Sequence, residues 1–178
     1  MWALGLDQTG PVEITTDAQL PIVANGYNVP IAFQSKMKFA IGVEFEILDQ
    51  GRSGILFEGD AGRLFVNRGT LAGTPVDMLK ETPLPRDGFG LYPNDNLTRP
   101  EKSGKIESIA NHMGNFYDCT VSRKTPISSV ASQHRVATAC HLGNIAARLG
   151  RTLRWNPVEE QFVDDAEADA MRSREARP

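Results

Sequence analysis

Residues 112–155, HMGNFYDCTVSRKTPISSVASQHRVATACHLGNIAARLGRTLRW, decide how the rest of the chain is organised. Read in order they predict a helix, a short proline-containing loop, a second helix and then a strand. Ile106, Ile109, Met113 and Phe116 recur at spacings of three and four, which places them on one face of the first helix. Ser103 is the candidate N-cap, and Pro126 lies just past the far end, where a helix does not readily continue. The second helix starts near Ser129 or Ser132 and stops at Gly150, suited to the C′ position after Arg148. It carries Leu142, Ile145 and Leu149 on one side, with Ala139, Gly143 and Ala146 alongside. Small residues there let a neighbouring element approach closely. Two such helices need a large apolar partner, and the preceding half of the chain supplies strands.

Residues 1–6 read as the tail of a helix or a short extended segment. Residues 12–15 alternate as a first strand, and a loop surrounds Asn25 and Gly26. Lys36, Lys38 and Phe39 then lead into 43–47, where strict alternation signals a strand with one wet face. Residues 49–54 have turn chemistry. Residues 55–58 and 63–68 are strands joined by a hairpin turn at Gly59-Asp60-Ala61-Gly62. Short turns force antiparallel neighbours, because parallel ones need a longer crossover. Residues 73–103 change character: Pro75, Pro83, Pro85, Pro93 and Pro100 break regular structure apart from a helical turn at 76–80. Such an excursion in a compact domain is often functional or oligomeric. Residues 152–155 form a late strand. Asp164 and Asp165 cap a short helix at 166–173, inside a charged tail over 164–178. The expected class is α+β: a largely antiparallel open sheet with helices packed on one face, in a single domain over 1–178.

Composition is that of an ordinary globular chain: 178 residues, 40% apolar, 23% charged. A net charge of −3 offers no global attraction to nucleic acid or to an anionic membrane. Neither a transmembrane run nor a signal peptide is read, so a cytoplasmic location is the default expectation. Cys119 and Cys140 sit on the two helices with neither C-x-x-C nor disulfide-framework spacing, and are expected to be buried, reduced thiols.

The chain carries no G-x-G-x-x-G, P-loop, H-E-x-x-H, G-x-S-x-G or zinc-ligand spacing. Its histidines are His112, His134 and His141. His112 falls early in the first helix, and His134 and Arg135 in the first turn of the second. Helix-surface or interhelix hydrogen bonding is the ordinary role for these. The functional alternative is that His134 with Arg135, and His112 with Asn115, bind a sugar hydroxyl or a carboxylate, since helix-end donors suit that task. His141, beside Cys140, is expected to pack. Arg63, Asn67 and Arg68 read as a solvated sheet face or a subunit interface. Ser122-Arg123-Lys124 is a basic run at a helix C-terminus. Trp2 and Trp155 are expected in a core or an interface.

Five segments in order (WALGLDQTGPVEI, FEGDAGRLFVNRGTLAG, HMGNFYDCTVSRKTPI, QHRVATACHLGNIAARLGRTLRWNP and a final acidic EAD stretch) resemble the C-terminal half of bacterial Gfo/Idh/MocA oxidoreductases, which include inositol dehydrogenase. The resemblance implies a substrate-binding and oligomerisation domain of a parent enzyme that moves a hydride between NAD or NADP and a sugar or polyol. It implies an N-terminal Rossmann domain as partner, with a second copy of this domain covering the open sheet face. The family's catalytic lysine lies in a Glu-Lys-Pro motif, which Pro100-Glu101-Lys102 does not reproduce. Its catalytic histidine, just before the W-A-L-G segment, would fall upstream of Met1. The implied chain is a trimmed or separately encoded piece that binds no cofactor and is not catalytic alone. Its apolar surface around Trp2, Ala3 and Leu4 would favour a dimer or larger assembly. A self-standing binding or assembly module is the alternative.

Overall fold

A computed structural model describes residues 1–21, 23, 26–68, 70–82 and 105–173, apart from the side chains of 79, 81 and 105–112. After a 3-10 turn at Trp2–Leu4, the elements in chain order are β1 (Glu13–Gln19), β2 (Ala32–Lys38), β3 (Glu44–Leu48), β4 (Ile55–Gly59), β5 (Gly62–Val66), β6 (Leu71–Gly73), α1 (Thr74–Glu81), α2 (Lys105–Ser122), α3 (Val130–Leu149), β7 (Leu153–Asn156), β8 (Gln161–Phe162) and α4 (Ala166–Ala170). They fall into two compact units, Met1–Gly51 with Val130–Pro178, and Arg52–Ser129. The class is α+β with antiparallel sheets, as expected.

The first unit is built on a sheet of order β3-β2-β1-β7-β8. Ile14 pairs with Met37 and Thr16 with Ser35 across β1 and β2, and these side chains share the face beneath α3. Ile14, Met37, Leu142 and Leu153 are almost wholly buried there, and Phe39, Ala146, Trp155, Phe162 and Ala168 join the same cluster. Gly143 sets the helix-to-sheet distance. A methyl at that position would lie 3.0 Å from Met37 Cε and 3.3 Å from Ser35 Oγ. The small-residue stripe thus does what its spacing predicts. The buried hydroxyls below it are satisfied by one another, Thr16 Oγ1 to Ser35 Oγ at 2.9 Å. Gly150 ends α3 in the left-handed region at φ 62°, its N–H on the Ala146 carbonyl, the C′ geometry expected of it.

Several boundaries differ from expectation. β1 runs on to Gln19, because the polar pair Thr16-Asp17 conceals continuing alternation. β2 is a full strand where the sequence predicts only a lead-in. Its interior positions are Phe33, Ser35 and Met37, and the serine interrupts the apolar pattern. β8 is two residues long and carried no signal of its own. Residues 49–54 do not join strands of one sheet; β4, β5 and β6 form a separate one. Trp155 is in the core, edge-on to Phe162 with centroids 5.0 Å apart, whereas Trp2 is 64% exposed beside exposed Leu4.

The face of the first sheet opposite α3 is polar. Antiparallel register aligns Arg154, Glu13, Lys38 and Glu44 in one row across four strands, and Lys36 beside Glu46 in the next. Lys38 bridges Glu13 at 2.8 Å and Lys36 bridges Glu46 at 3.5 Å. Thr15 and Thr152 hydroxyls meet at 2.8 Å.

In the second unit, β4, β5 and β6 form an antiparallel meander whose first hairpin pairs Gly59 with Gly62, as the turn residues predict. Gly73 joins β6 directly to α1 at φ 132°, where a side-chain carbon would sit 2.0 Å from the Arg63 carbonyl oxygen; only glycine fits. α1 extends over Thr74–Glu81, slightly beyond the expected turn, and packs on β5 and β6. Arg63 pairs with Glu58 at 2.8 Å on an exposed surface. Met113 and Phe116, expected on a buried stripe of α2, are 41% and 56% exposed. The proposed Ser103 cap and most of the excursion over 73–103 lie outside the described residues.

Gly143→Leu is expected to destabilise the first unit by about 1–3 kcal/mol through overpacking. Gly143→Ala should cost less, since alanine's helix propensity returns up to about 1 kcal/mol. Urea midpoints at unchanged m-value measure both; equal midpoints for leucine and glycine would count against the packing argument.

Candidate functional site

The face of α3 next to its core stripe carries His134, Thr138, His141, Ile145 and Arg148, spaced four, three, four and three. With Asn144 they line one side of a cleft of about 420 Å³ in the first unit. Leu142 and Trp155, both buried, contribute its apolar floor. Glu160, Met171 and Arg172 supply the opposite wall from the β7–β8 turn and the end of α4.

One end of the cleft is held by charge. Glu160 lies in the turn joining β7 to β8, in the left-handed region at φ 53°, where a residue other than glycine is uncommon. Asn156 shapes that turn by accepting the N–H groups of Val158 and Glu159 at 3.0 and 3.1 Å. His134 Nε2 donates to Glu160 Oε1 at 2.8 Å and Arg135 Nη1 to the same oxygen at 2.5 Å. Arg135 Nη1 also donates to the Pro157 carbonyl at 2.8 Å, and Arg172 Nη1 to the Glu160 carbonyl at 2.6 Å. The His134 hydrogen bond, then the positive charges of His134 and Arg135, hold the Glu160 carboxyl below its ordinary range against the opposing effect of burial.

Below this wall, Arg151 grips Asp165 through two hydrogen bonds and reaches Glu167 at 2.9 Å. Asp165 also caps α4 by accepting the Ala168 N–H at 3.1 Å. Those contacts, Arg151 first, push the Asp165 carboxyl down from 3.8 to about 2.

The other end of the cleft is open. Thr138, His141 and Asn144 make no side-chain hydrogen bond to another described residue. Arg148 meets neutral acceptors, with Nη2 3.2 Å from Asn28 Oδ1 and 3.4 Å from the Asn28 carbonyl.

Of the residues singled out from sequence, the structure brings two together. His134 and Arg135 share one carboxylate at the cleft, with Arg135 occupied in fixing the turn. Asn115 lies in the second unit, where its Oδ1 accepts the Ile127 N–H at 3.1 Å. His112 is on α2, and its side chain lies outside those described. His141 is exposed rather than packed, because position 141 projects from the flank of α3 instead of its sheet-facing side. Cys140 is likewise exposed, and Cys119 half-buried. Arg148 and Glu160 complete the cleft without standing out by residue type. The four-three repeat from 134 to 148 signals the first; nothing local marks the second.

Among the described residues, no cluster of three or more His, Cys, Asp or Glu has metal-binding geometry, and no helix is long and apolar enough to cross a membrane. Comparison with curated proteins and with solved structures finds no match. A family model described as "Oxidoreductase family, C-terminal alpha/beta domain" matches residues 88–178, just over half of the chain, including every residue of the cleft. Fold and match together define a C-terminal α/β domain of the oxidoreductase class. The chain belongs to the Gfo/Idh/MocA oxidoreductase family.

Both depressed carboxylates imply acid sensitivity. A group whose folded pKa lies below its unfolded value contributes stability above the unfolded pKa and loses it as pH falls through the folded one. For Asp165 that window runs from 3.8 down to about 2. The near-ultraviolet circular dichroism of Trp155 should therefore decay between about pH 4 and pH 2. Asp165→Asn, which keeps the cap and loses the ion pair, should flatten that decay; an unchanged profile would show that Asp165 does not set it.

Proposed function

We propose that this chain is the substrate-side and assembly domain of an NAD(P)-dependent oxidoreductase acting on a sugar or polyol, with the α3 cleft receiving the hydroxylated ligand. The supporting observation is that the family match spans a cleft in which Thr138, His141 and Asn144 offer polar groups over an apolar floor. Hydroxyl-rich ligands need donors and acceptors in small number, fixed on rigid elements, above apolar surface that excludes water. α3, anchored along its length to the sheet, is such an element.

The described residues of this chain do not fit a dinucleotide. No G-x-G-x-x-G occurs, and the direct strand-to-helix junction at Gly73 puts Pro75 in the first turn of α1, removing an N–H that a pyrophosphate would use. Binding of the nicotinamide is therefore assigned to a Rossmann partner domain, and no hydride step is derived through this chain's residues. Its part is to bind and orient.

The assembly half of the reading rests on the polar sheet face. The row Arg154, Glu13, Lys38, Glu44 reads plus, minus, plus, minus. A second copy turned about a two-fold axis along the strands presents the row reversed, so that Arg154 meets Glu44 and Glu13 meets Lys38. In the adjoining row Thr15 meets Lys36 and Thr152 meets Glu46. No like charges oppose each other, which is the condition for a self-complementary interface.

Calorimetry should detect no NAD or NADP binding to this chain, and binding to a chain that also carries the Rossmann domain. Cofactor binding to this chain alone would refute the division of labour. Sedimentation should show a dimer that weakens with added salt. Lys38→Glu should shift it to monomer, and the charge swap Glu13→Lys with Lys38→Glu should restore association. A monomer at every concentration would remove the assembly role and leave the binding role standing.

A further inference from the structure

Resting on the α3 cleft as the ligand site, we infer that the ligand is anionic: a polyhydroxylated molecule bearing a carboxylate or phosphate, held at its charged end by Arg148. The two ends of the cleft differ in charge balance. At the Glu160 end every charge is answered. The carboxylate is shared by His134 and Arg135, and Arg172 pairs with Asp169 at 2.8 Å. At the Arg148 end the guanidinium has no carboxylate within ion-pair distance among the described residues. Only Nη2 is engaged, by neutral oxygens of Asn28 that fix the group without discharging it. Nε and Nη1 keep their N–H donors, and each can give a charge-assisted hydrogen bond to a carboxylate or phosphate oxygen.

His141 lies two turns before Arg148 on the same flank, about 10 Å along the axis, with Asn144 between them. The His141 and Asn144 side chains lack partners among the described residues. An anion at Arg148 would lay its hydroxyl-bearing body along Asn144 and His141, over Leu142 and Ile145. The Glu160 end would not repel it, because its negative charge is already neutralised. A neutral sugar would satisfy the hydroxyl sites and leave Arg148 unanswered.

Backbone amide shifts on the labelled chain, titrated with glucose, glucuronate and glucose 6-phosphate, test this. The expected result is perturbation of residues 141–148, with one or both anions at least about tenfold tighter than glucose, the range of a charge-assisted hydrogen bond. Preference for glucuronate names a carboxylate, and preference for the phosphate ester a phosphate. Arg148→Gln should erase the preference, and Arg148→Lys should retain part of it. Asn28→Ala, which removes the side-chain contact of the tether but keeps the charge, should leave it in place, with thermal melts confirming that each variant is folded. Equal affinity for glucose and both anions would overturn the anion inference while the cleft stands as a polyol site. A preference that survives Arg148→Gln would overturn the assignment to Arg148. No perturbation of the cleft by any of the three sugars would overturn the cleft reading itself, and this inference with it.

Discussion

The approach of α3 to the β1–β2 pair is the contact on which the first unit depends. Helices usually rest on sheets through large side chains, whose bulk sets a spacing near 10 Å. Here Ala139, Gly143 and Ala146 carry almost no bulk, so backbone comes close to backbone and the large residues move to the sheet and to the flank of the helix. Met37 rises into the space above Gly143, and the Thr16–Ser35 hydroxyl pair lies beneath it. A buried hydroxyl pair tolerates little displacement, since separating the partners would strand both. The helix is therefore fixed in register as well as in distance.

That fixation gives the cleft its geometry. The residues on the flank of α3 lie roughly 140 degrees around the helix from those that dock it. Anything that holds the docking stripe in place holds His134, Thr138, His141 and Arg148 in place too. The opposite wall is made differently. It is a short hairpin turn and the end of a five-residue helix, elements with little core of their own, tied by Asn156, Arg135, Arg172 and the Arg151–Asp165 pair. One wall is positioned by packing, the other by hydrogen bonds and charge.

How much of this was legible in the sequence follows from which physical signal each part uses. α3 was readable because a small and apolar stripe repeats over twenty residues and a glycine ends it. The β4–β5 hairpin was readable because its turn residues match the turn. β2 was not, because Ser35 occupies an interior position where only its bond to Thr16, nineteen residues away in sequence, makes a polar group acceptable. The separation into two sheets was hidden because turn chemistry at 49–54 says that the chain reverses without saying what the next strand pairs with. In the site, His134 and Arg135 stood out by residue type, but only the fold shows that Arg135 is spent on the turn. Glu160 is brought to them from twenty-five residues away by strand pairing, a relation no local pattern carries.

Glu160 also carries a consequence for how this chain can change over generations. A glycine or asparagine would suit its left-handed backbone better, by roughly 1 kcal/mol or more. Either would release His134 and Arg135 from their common acceptor and leave Arg135 holding the turn to α3 through the Pro157 carbonyl. Position 160 is therefore caught between backbone comfort and side-chain duty, and it cannot drift alone. In related sequences, loss of the carboxylate should coincide with replacement of His134 or Arg135 and with a glycine or asparagine at the turn. Four positions, 134, 135, 160 and 172, are expected to behave as one heritable unit.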